Sequence, residues 1–307
     1  MNKYRERILS MGKKTGARLV IPEIHDQRIQ QARQELVSMG FHVLNHEDFK
    51  ENTASYLDYI QQKPFADNWP DENLREYLND PLHFSMVMLA CDDADGLIAG
   101  AEIASSEVIR TAIRIVGINP ASRWVSSIFF LVSPSGNHAY TFADCAVIPE
   151  PDSKQLAVIG HDSAEFHLLL SGEEARVAFV SFSTKGSASH YRIDRVREGV
   201  EIFSRQYPHI IHDGELQVDA AIIPVISQMK APESPLEGRA NVLIFPNLDA
   251  GNIAYKIAQH MGEYSAWGPL LQGLNKPVHD LSRGCSVDDI INVSAIAALQ
   301  RNAHAHV

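Results

Sequence analysis

The chain has 307 residues, of which 45% are hydrophobic and 21% charged, so it is long enough for two α/β domains with separate cores. Its formal net charge of −11 disfavours a diffuse basic surface for long nucleic acids, but a small anion can still bind where arginine, lysine and backbone N–H groups are concentrated. No apolar run reaches the length of a membrane span, and no secretory or lipidation signal is present. We therefore expect a cytoplasmic protein without membrane association.

The three cysteines, Cys91, Cys145 and Cys285, are an odd number without CxxC spacing, which predicts neither a disulfide framework nor a zinc site. The aspartates at 92–95 lack the twelve-residue calcium-loop pattern, so no metal site is predicted there either. Cys285 lies near Arg283 at a predicted helix start. A lowered thiol pKa, and hence a nucleophilic role, is a minor alternative there, because no histidine follows locally.

The first half of the chain begins with a β-α-β pattern at 18–44. The helix predicted at 81–91 is rich in methionine and is expected in the core. Between these two parts, residues 51–80 are polar and acidic, which indicates short helices and loops on the surface. The predicted elements are a strand at 18–22, a helix at 25–39 closed by Gly40, a strand at 41–44, a helix at 81–91, a short strand before 101, a helix at 105–117 and a strand at 125–132.

A turn-rich segment at 133–137 predicts a domain boundary. Strands and helices then alternate again: strands at 140–147 and 176–182, helices at 153–170 and 191–206, a strand at 241–246 and a helix at 249–261. This alternation predicts the α/β class, with two domains and largely parallel sheets. Ligands in such folds bind at the carboxyl ends of the strands, usually in a cleft between domains.

The loop Ser183-Thr184-Lys185-Gly186 combines hydroxyls with one lysine. It lacks the spacing of a phosphate-binding P-loop, so by itself it is a weak indication of an anion site.

The stretch 277–290 carries the strongest chemical pattern. A strand-like approach leads to a turn with Ser282 and Arg283, and then to an amphipathic helix at about 287–300 with Ser286 as N-cap and Asp289 three residues on. The first-turn N–H groups and the guanidinium favour a bound phosphate. The structural alternative is a capping box worth about 1 kcal/mol, with Arg283 paired to Asp280 or Asp288.

With these segments in place, the chain resembles the phosphate acetyl/butyryl transferase family. The resemblance is weaker over the first 135 residues and densest from Asp213 onward. It rests on blocks in the same order at 142–146, 181–187, 213–221, 230–234, 240–248, 251–256, 268–277 and 280–286.

The resemblance implies reversible conversion of acetyl-CoA and phosphate into acetyl phosphate and CoA, with no cofactor, since CoA is a substrate. It implies an active site between two α/β domains, with residues 135–274 inserted into a first domain of 1–134 plus 275–307, and a homodimer. Ser282 and Arg283 match the active-site serine and arginine, and Asp289 matches the proposed base for the CoA thiol. The expected substrate contacts are Arg110, Ser183, Thr184, Lys185, Gly186, Asn252 and Lys256.

The chain departs from the family at 67–73, where a basic run is replaced by acidic and amide residues, and at 105–111. CoA affinity or acyl choice can differ as a result. Three alternatives therefore stay open: a butyryl or other acyl specificity, a non-catalytic acetyl-CoA-sensing protein, and a dehydrogenase of related architecture. The dehydrogenase would require an aspartate cluster for a metal, which the sequence does not offer.

Overall fold

The computed structural model describes residues 2–304, with side chains described through Arg301. The helices are α1 Lys3–Lys14, α2 Gln27–Met39, α3 Thr53–Gln61, α4 Asp71–Leu78, α5 Pro81–Ala90, α6 Ser105–Ile115, α7 Ser153–Ser171, α8 Tyr191–Gln206, α9 Val218–Ile222, α10 Pro224–Lys230, α11 Leu248–Met261 and α12 Val287–His304. The strands are β1 Arg18–Val20, β2 His42–Leu44, β3 Gly96–Ala99, β4 Ser126–Val132, β5 Ala139–Ala143, β6 Arg176–Val180, β7 Ile211–Leu216, β8 Val242–Ile244, β9 Ser265–Gln272 and β10 Val278–Asp280. Short 3₁₀ helices span His46–Asn52 and Pro64–Ala66.

The chain divides into two compact units. The first unit contains residues 5–123 and the segment from 268 onward, and the second contains 124–267 with the N-terminal residues through Tyr4. The turn at 133–137, predicted as the domain boundary, instead joins β4 to β5, which pair antiparallel from Ile128–Ala143 to Val132–Ala139. Strand β4 therefore belongs to the second unit. Residues 1 and 305–307 of the predicted first domain lie outside the described residues.

In the first unit the strand order is β2-β1-β3-β10-β9. The four strands from β2 to β10 are parallel, and β9 pairs antiparallel with β10 through Leu270 and His279. Helix α2 confirms the helix predicted at 25–39 and its end at Gly40, which has φ of 90°. It begins two residues later than predicted, at Gln27, because the Asp26 carboxylate caps it by accepting the N–H groups of Arg28 and Ile29. The sequence pattern of strand, helix and strand therefore gives a parallel pair here.

Helix α12 differs from the prediction of one buried face, because every residue from Ile290 to Gln300 is buried. Small residues allow neighbouring backbones to approach closely. A Cβ placed on Gly12 would lie 2.6 Å from the Ala295 carbonyl oxygen, and one on Gly96 would lie 3.2 Å from the Ala297 Cβ. Helix α12 is therefore a central element of the first unit's core and fixes the turn that precedes it.

In the second unit the strand order is β4-β5-β8-β6-β7, with β4 antiparallel and the others parallel. All seven residues of β4 are buried, and Phe129, Leu131 and Val180 belong to the hydrophobic core. A capping box between Asp152 and Gln155 begins helix α7. Both units thus have the predicted α/β architecture with a largely parallel sheet.

Strand β7 was not predicted from the sequence, and neither were β9 and α1. The β7 segment carries Asp213 and Glu215, which are rare in buried strands, yet both are buried in the structure. Lys185 pairs with Asp213, and Arg197 pairs with Glu215. Basic partners from other parts of the chain therefore permit a strand that the local sequence disfavours.

Across residues 2–304, none of the helices combines the length and apolar character that crossing a membrane requires.

Candidate active site

The predicted turn lies at the carboxyl end of β10. The Leu281 N–H donates to the Ala99 carbonyl at 2.7 Å and so extends the pairing of β10 with β3 by one bond. The Cys285 N–H then donates to the Ser282 carbonyl at 2.9 Å, and the Gly284 N–H lies 3.3 Å from the Ser282 hydroxyl oxygen. These bonds close a tight turn on which Ser282 and Arg283 are exposed.

The next residues form the predicted cap of α12. The Ser286 N–H and hydroxyl donate to Asp289 Oδ2 at 2.9 and 2.7 Å, and the Asp289 N–H donates to the Ser286 hydroxyl at 3.2 Å. This is a reciprocal capping box with aspartate in the place of the usual glutamate. The other carboxylate oxygen, Asp289 Oδ1, takes no part in it, so a capping role leaves one oxygen available.

The guanidinium of Arg283 makes no hydrogen bond or ion pair with any described side chain. The structural alternative paired it with Asp280 or Asp288, but Asp288 pairs with Arg5 at 2.9 Å and Asp280 is buried. An exposed guanidinium without a protein partner keeps all five N–H donors for a ligand, and its forked geometry matches two oxygens of a phosphate.

Arg28, which was not predicted from the sequence as a site residue, holds the turn through its backbone carbonyl groups. One of its nitrogens, Nη1, donates to the carbonyl oxygens of Arg283 at 2.7 Å and Cys285 at 3.1 Å, and Nη2 donates to Ala101 O at 3.1 Å. Its ion pair with Asp26 at 2.6 Å orients the guanidinium. Arg28 therefore holds the turn backbone while the Arg283 side chain stays free. No local sequence pattern indicates this role.

A second buried group positions the loop after β3. The Glu23 carboxylate accepts the four consecutive backbone N–H groups of residues 100–103 at 2.7–3.1 Å. Nearby, burial raises the pKa of Asp280 to about 6, the negative charge of Glu23 adds to this, and a hydrogen bond with Ser105 opposes it. Glu23 therefore lies next to the loop after β3, and Asp280 is the last residue of β10, directly before the turn.

Cys285 is not the activated thiol considered from the sequence. Burial raises its pKa to about 11, although the positive charge of Arg28 acts in the opposite direction. The thiol therefore stays protonated at neutral pH, and the minor nucleophile alternative was wrong.

Arg110 lies on the exposed side of α6 and pairs with Glu107 at 3.0 Å, one turn earlier in the helix. Such an exposed pair is worth little, so a ligand anion can compete with Glu107 for the guanidinium.

The loop at 183–186 in the second unit is held by Glu215. Its carboxylate accepts the Ser183 hydroxyl and the Gly186 N–H, both at 2.9 Å, and binds Arg197 through two bonds at 2.8 and 3.0 Å. Burial would raise the pKa of Glu215, but the hydrogen bonds from Arg197, Gly186 and Ser183 outweigh it and lower the pKa to about 2. Glu215 thus stays ionised and fixes the loop.

The hydroxyls of this loop are used within the second unit. Ser183 and Thr184 are buried, and the Thr184 hydroxyl accepts the Gln217 N–H at 2.9 Å. The Lys185 ammonium bonds to the Asp213 carboxylate and to the Gly214 carbonyl, so one of its three N–H donors stays free. Lys185 is therefore the group of this loop best suited to contact a substrate.

Asn252 and Lys256 lie four residues apart on α11 and so face the same way. The Asn252 amide donates to the Cys145 carbonyl at 3.0 Å, whereas Lys256 is exposed. An apolar cavity of about 320 Å³ lies in the same unit at the carboxyl ends of β6 and β8, and its lining includes Phe182, Val218 and Phe245.

Among the described residues, no group of three or more histidine, cysteine, aspartate or glutamate side chains is placed to hold a metal ion.

Comparison with known proteins identifies the family. The model of the phosphate acetyl/butaryl transferase family matches residues 13–298. The chain belongs to this family. It is similar to the phosphate acetyltransferase of Thermoanaerobacterium thermosaccharolyticum, with 46% identity over 233 residues, covering 75% of this chain and 71% of the relative.

The phosphate acetyltransferase of Acetivibrio thermocellus is 35% identical over 324 residues, which cover 97% of this chain and 98% of the relative. Among solved structures, the EutD phosphotransacetylase from Staphylococcus aureus superposes with a TM-score of 0.87 at 35% identity, covering 97% of this chain and 99% of that one. As a member of the phosphate acetyl/butaryl transferase family, the chain is an acyltransferase. None of these relatives favours the butyryl, sensing or dehydrogenase alternatives.

Proposed function

We propose that the protein catalyses the reversible transfer of an acetyl group between CoA and inorganic phosphate. The observation that carries this proposal is the exposed, unpartnered Arg283 guanidinium on a turn whose backbone is held by Arg28. The similarity of the chain to relatives named phosphate acetyltransferase supports acetyl as the group transferred.

Arg283 is proposed to bind the phosphoryl oxygens through two parallel hydrogen bonds. Ser282, exposed on the same turn, donates a hydrogen bond to the acetyl carbonyl oxygen or to the leaving phosphate. Both groups stabilise negative charge that develops on oxygen as the bond to phosphate breaks.

Asp289 is proposed as the base, acting through Oδ1. In the direction of acetyl-CoA formation, Oδ1 accepts the thiol proton of CoA, the sulfur attacks the carbonyl carbon of acetyl phosphate, and phosphate leaves. Reference pKa values of about 3.9 for aspartate and about 8.5 for a thiol differ by ~4.6, or roughly 6 kcal/mol against complete transfer. Proton transfer concerted with sulfur attack lowers this cost.

Further substrate contacts are proposed for Arg110, Ser183, Thr184, Lys185, Gly186, Asn252 and Lys256. The exposed cations Arg110 and Lys256 and the free donor on Lys185 suit the phosphate groups of CoA. Besides their proposed substrate contacts, Ser183, Thr184 and Gly186 fix the loop that presents Lys185. The proposed chemistry needs no resident cofactor, because CoA enters as a substrate.

A cytoplasmic location is proposed from the nature of these substrates and from the three free cysteines, which suit a reducing compartment.

We also propose that the protein is a homodimer, with helix α11 at the interface. Ile253, Ile257 and Met261 are 58%, 51% and 80% exposed and recur every four residues, so they form one apolar stripe. A stripe of this kind on a soluble protein indicates a contact surface, and a second copy presents a matching one.

The direct test measures CoA released from acetyl-CoA by chromatography, with and without phosphate, beside propionyl-CoA and butyryl-CoA. We expect turnover that requires phosphate, is fastest with acetyl-CoA and collapses in Ser282→Ala. Preference for butyryl-CoA would overturn the acetyl assignment. Absence of turnover with acetyl-CoA still bound would instead support the sensing alternative.

A further inference from the structure

A cavity of about 530 Å³ with both polar and apolar lining lies in the first unit, outside the turn that carries Ser282 and Arg283. It is formed by the 3₁₀ helix His46–Asn52, the end of α4 and the start of α5. Its volume falls within the range of small-molecule sites. None of its lining residues belongs to the catalytic groups proposed above.

The cavity contains a histidine that lacks a hydrogen-bond partner. His46 is 7% exposed, and its Nδ1 atom is buried without any donor or acceptor among the described residues. Burial lowers the pKa of His46, and the positive charges of Lys50 and Arg33 add to this effect against the opposing charge of Glu47. Burial thus favours the uncharged imidazole, which offers one donor and one acceptor.

The charged groups on the lining favour an anion. Arg75 makes no hydrogen bond or ion pair through its side chain with any described residue. Lys50 lies 3.5 Å from Glu47 in an exposed pair that gives little stabilisation. The two cations thus exceed the single lining carboxylate, in a chain whose net charge is −11.

One wall of the cavity is apolar and consists of Leu78, Pro81 and Phe84. The Phe84 ring lies 6.3 Å from the His46 ring. A ligand therefore meets cations and a neutral imidazole together with a hydrophobic surface, a combination that suits an anionic head on a compact apolar body.

We propose that this cavity is a second binding site, for a small organic anion with a phosphate or carboxylate head. The head binds Arg75 and Lys50, the apolar body packs on Leu78, Pro81 and Phe84, and His46 completes the polar contacts. This site is independent of the proposed acetyl transfer.

Calorimetric titration of the full chain tests the proposal with phenyl phosphate and benzoate, which share a ring and differ in the head, and with phenol as the uncharged analogue. We expect saturable 1:1 binding of at least one anion and none of phenol. Tighter binding of phenyl phosphate assigns a phosphate head, and tighter binding of benzoate a carboxylate head. No saturable binding of either anion would overturn the proposal.

Variants separate this cavity from the proposed substrate site. Arg75→Gln should weaken binding at least tenfold, whereas Arg123→Gln, a matched exposed arginine of the same unit, should leave it unchanged. Arg283→Gln should abolish acetyl transfer but not the binding of the probe. Loss of probe binding in Arg283→Gln, or equal loss in Arg123→Gln, would contradict a separate site.

A spectroscopic measurement reports on His46 itself. In protein with ¹⁵N-labelled histidine, the ring-nitrogen resonances that disappear in His46→Gln should shift on addition of the tighter probe. Unchanged His46 resonances at saturating probe would show that the anion binds elsewhere.

Discussion

At the scale of single residues, Asp289 combines a structural and a proposed chemical role through different oxygens. Asp289→Asn keeps an oxygen for the Ser286 bonds but removes the base. We expect kcat to fall about 10²–10⁴-fold, which is the range for a lost general base, with an unchanged melting temperature. Steady-state kinetics and thermal unfolding measure the two effects. Wild-type turnover in the variant would exclude Asp289 as the base.

Arg283 tests whether charge or geometry governs phosphate use. Arg283→Lys keeps the positive charge but loses the fork that binds two oxygens. Hydrogen bonds to charged groups contribute about 1.5–3 kcal/mol, so kcat/KM for phosphate should fall roughly 10–100-fold. Kinetics with varied phosphate measure the loss, and Arg123→Lys is the control. Equal kcat/KM values for Arg283→Lys and wild type would argue against bidentate binding.

At the scale of elements, the capping box contributes to the stability of α12. Asp289→Ala removes the reciprocal bonds with Ser286 and should lower the free energy of unfolding by about 1 kcal/mol. Urea denaturation measures the difference. Asp288→Ala is the matched control, because it removes only an exposed pair with Arg5 and should cost less. Equal losses in both variants would show that the box adds nothing specific.

The buried charges on β7 give an element-scale prediction about pH. The pKa of Glu215 is about 2 in the folded protein and 4.5 in the unfolded reference. The ionised carboxylate therefore adds to the free energy of unfolding above pH 4.5, and this stabilisation is lost as pH falls toward 2. Glu215→Gln should destabilise the protein by about 1–3 kcal/mol at pH 7, because Arg197 loses its charged partner. The difference in the free energy of unfolding between wild type and Glu215→Gln should become smaller below pH 4.5.

Denaturant unfolding between pH 7 and pH 2.5 measures this dependence on pH. Glu237→Gln is the control, since the Glu237 carboxylate lies at the surface, 3.9 Å from Arg239. If wild type and Glu215→Gln differ in free energy of unfolding by the same amount from pH 7 to pH 2.5, the ionised carboxylate does not provide the stabilisation.

At the scale of the whole molecule, the apolar stripe on α11 predicts the oligomeric state. Ile257→Glu places a charge in the middle of the stripe and should convert the proposed dimer to monomer, because burying an unpaired carboxylate is costly. Sedimentation velocity measures the mass. Val37→Glu, at a similarly exposed valine of α2, should leave the mass unchanged. A wild-type monomer, or an Ile257→Glu dimer, would remove α11 as the interface.

Local patterns predicted much of the fold and part of the candidate site. The helix predicted at 25–39 with Gly40 at its end, and the cap at Ser286, follow from short-range chemistry, and the structure confirms both, with the helix beginning at Gln27. The family predicted from the ordered blocks is confirmed as well. Residue type and spacing were sufficient in these cases, because the groups that interact lie within a few positions of each other.

Other features depend on residues that are distant in the sequence. Arg28 lies 255 positions before Arg283, so its bond to that backbone has no local signal. Strand β7 carries acidic residues that local propensity disfavours, and Lys185 and Arg197 compensate their charges.

The sequence by itself determined the alternation of strands and helices, the capped turn and the family. Only the tertiary structure decided that residues 290–300 of α12 are all buried, that the Arg283 side chain stays unpaired, and that Cys285 is protonated. The physical reason is that burial, and the charge that burial permits, depend on which distant segments surround a group. A local pattern specifies the group but not these surroundings.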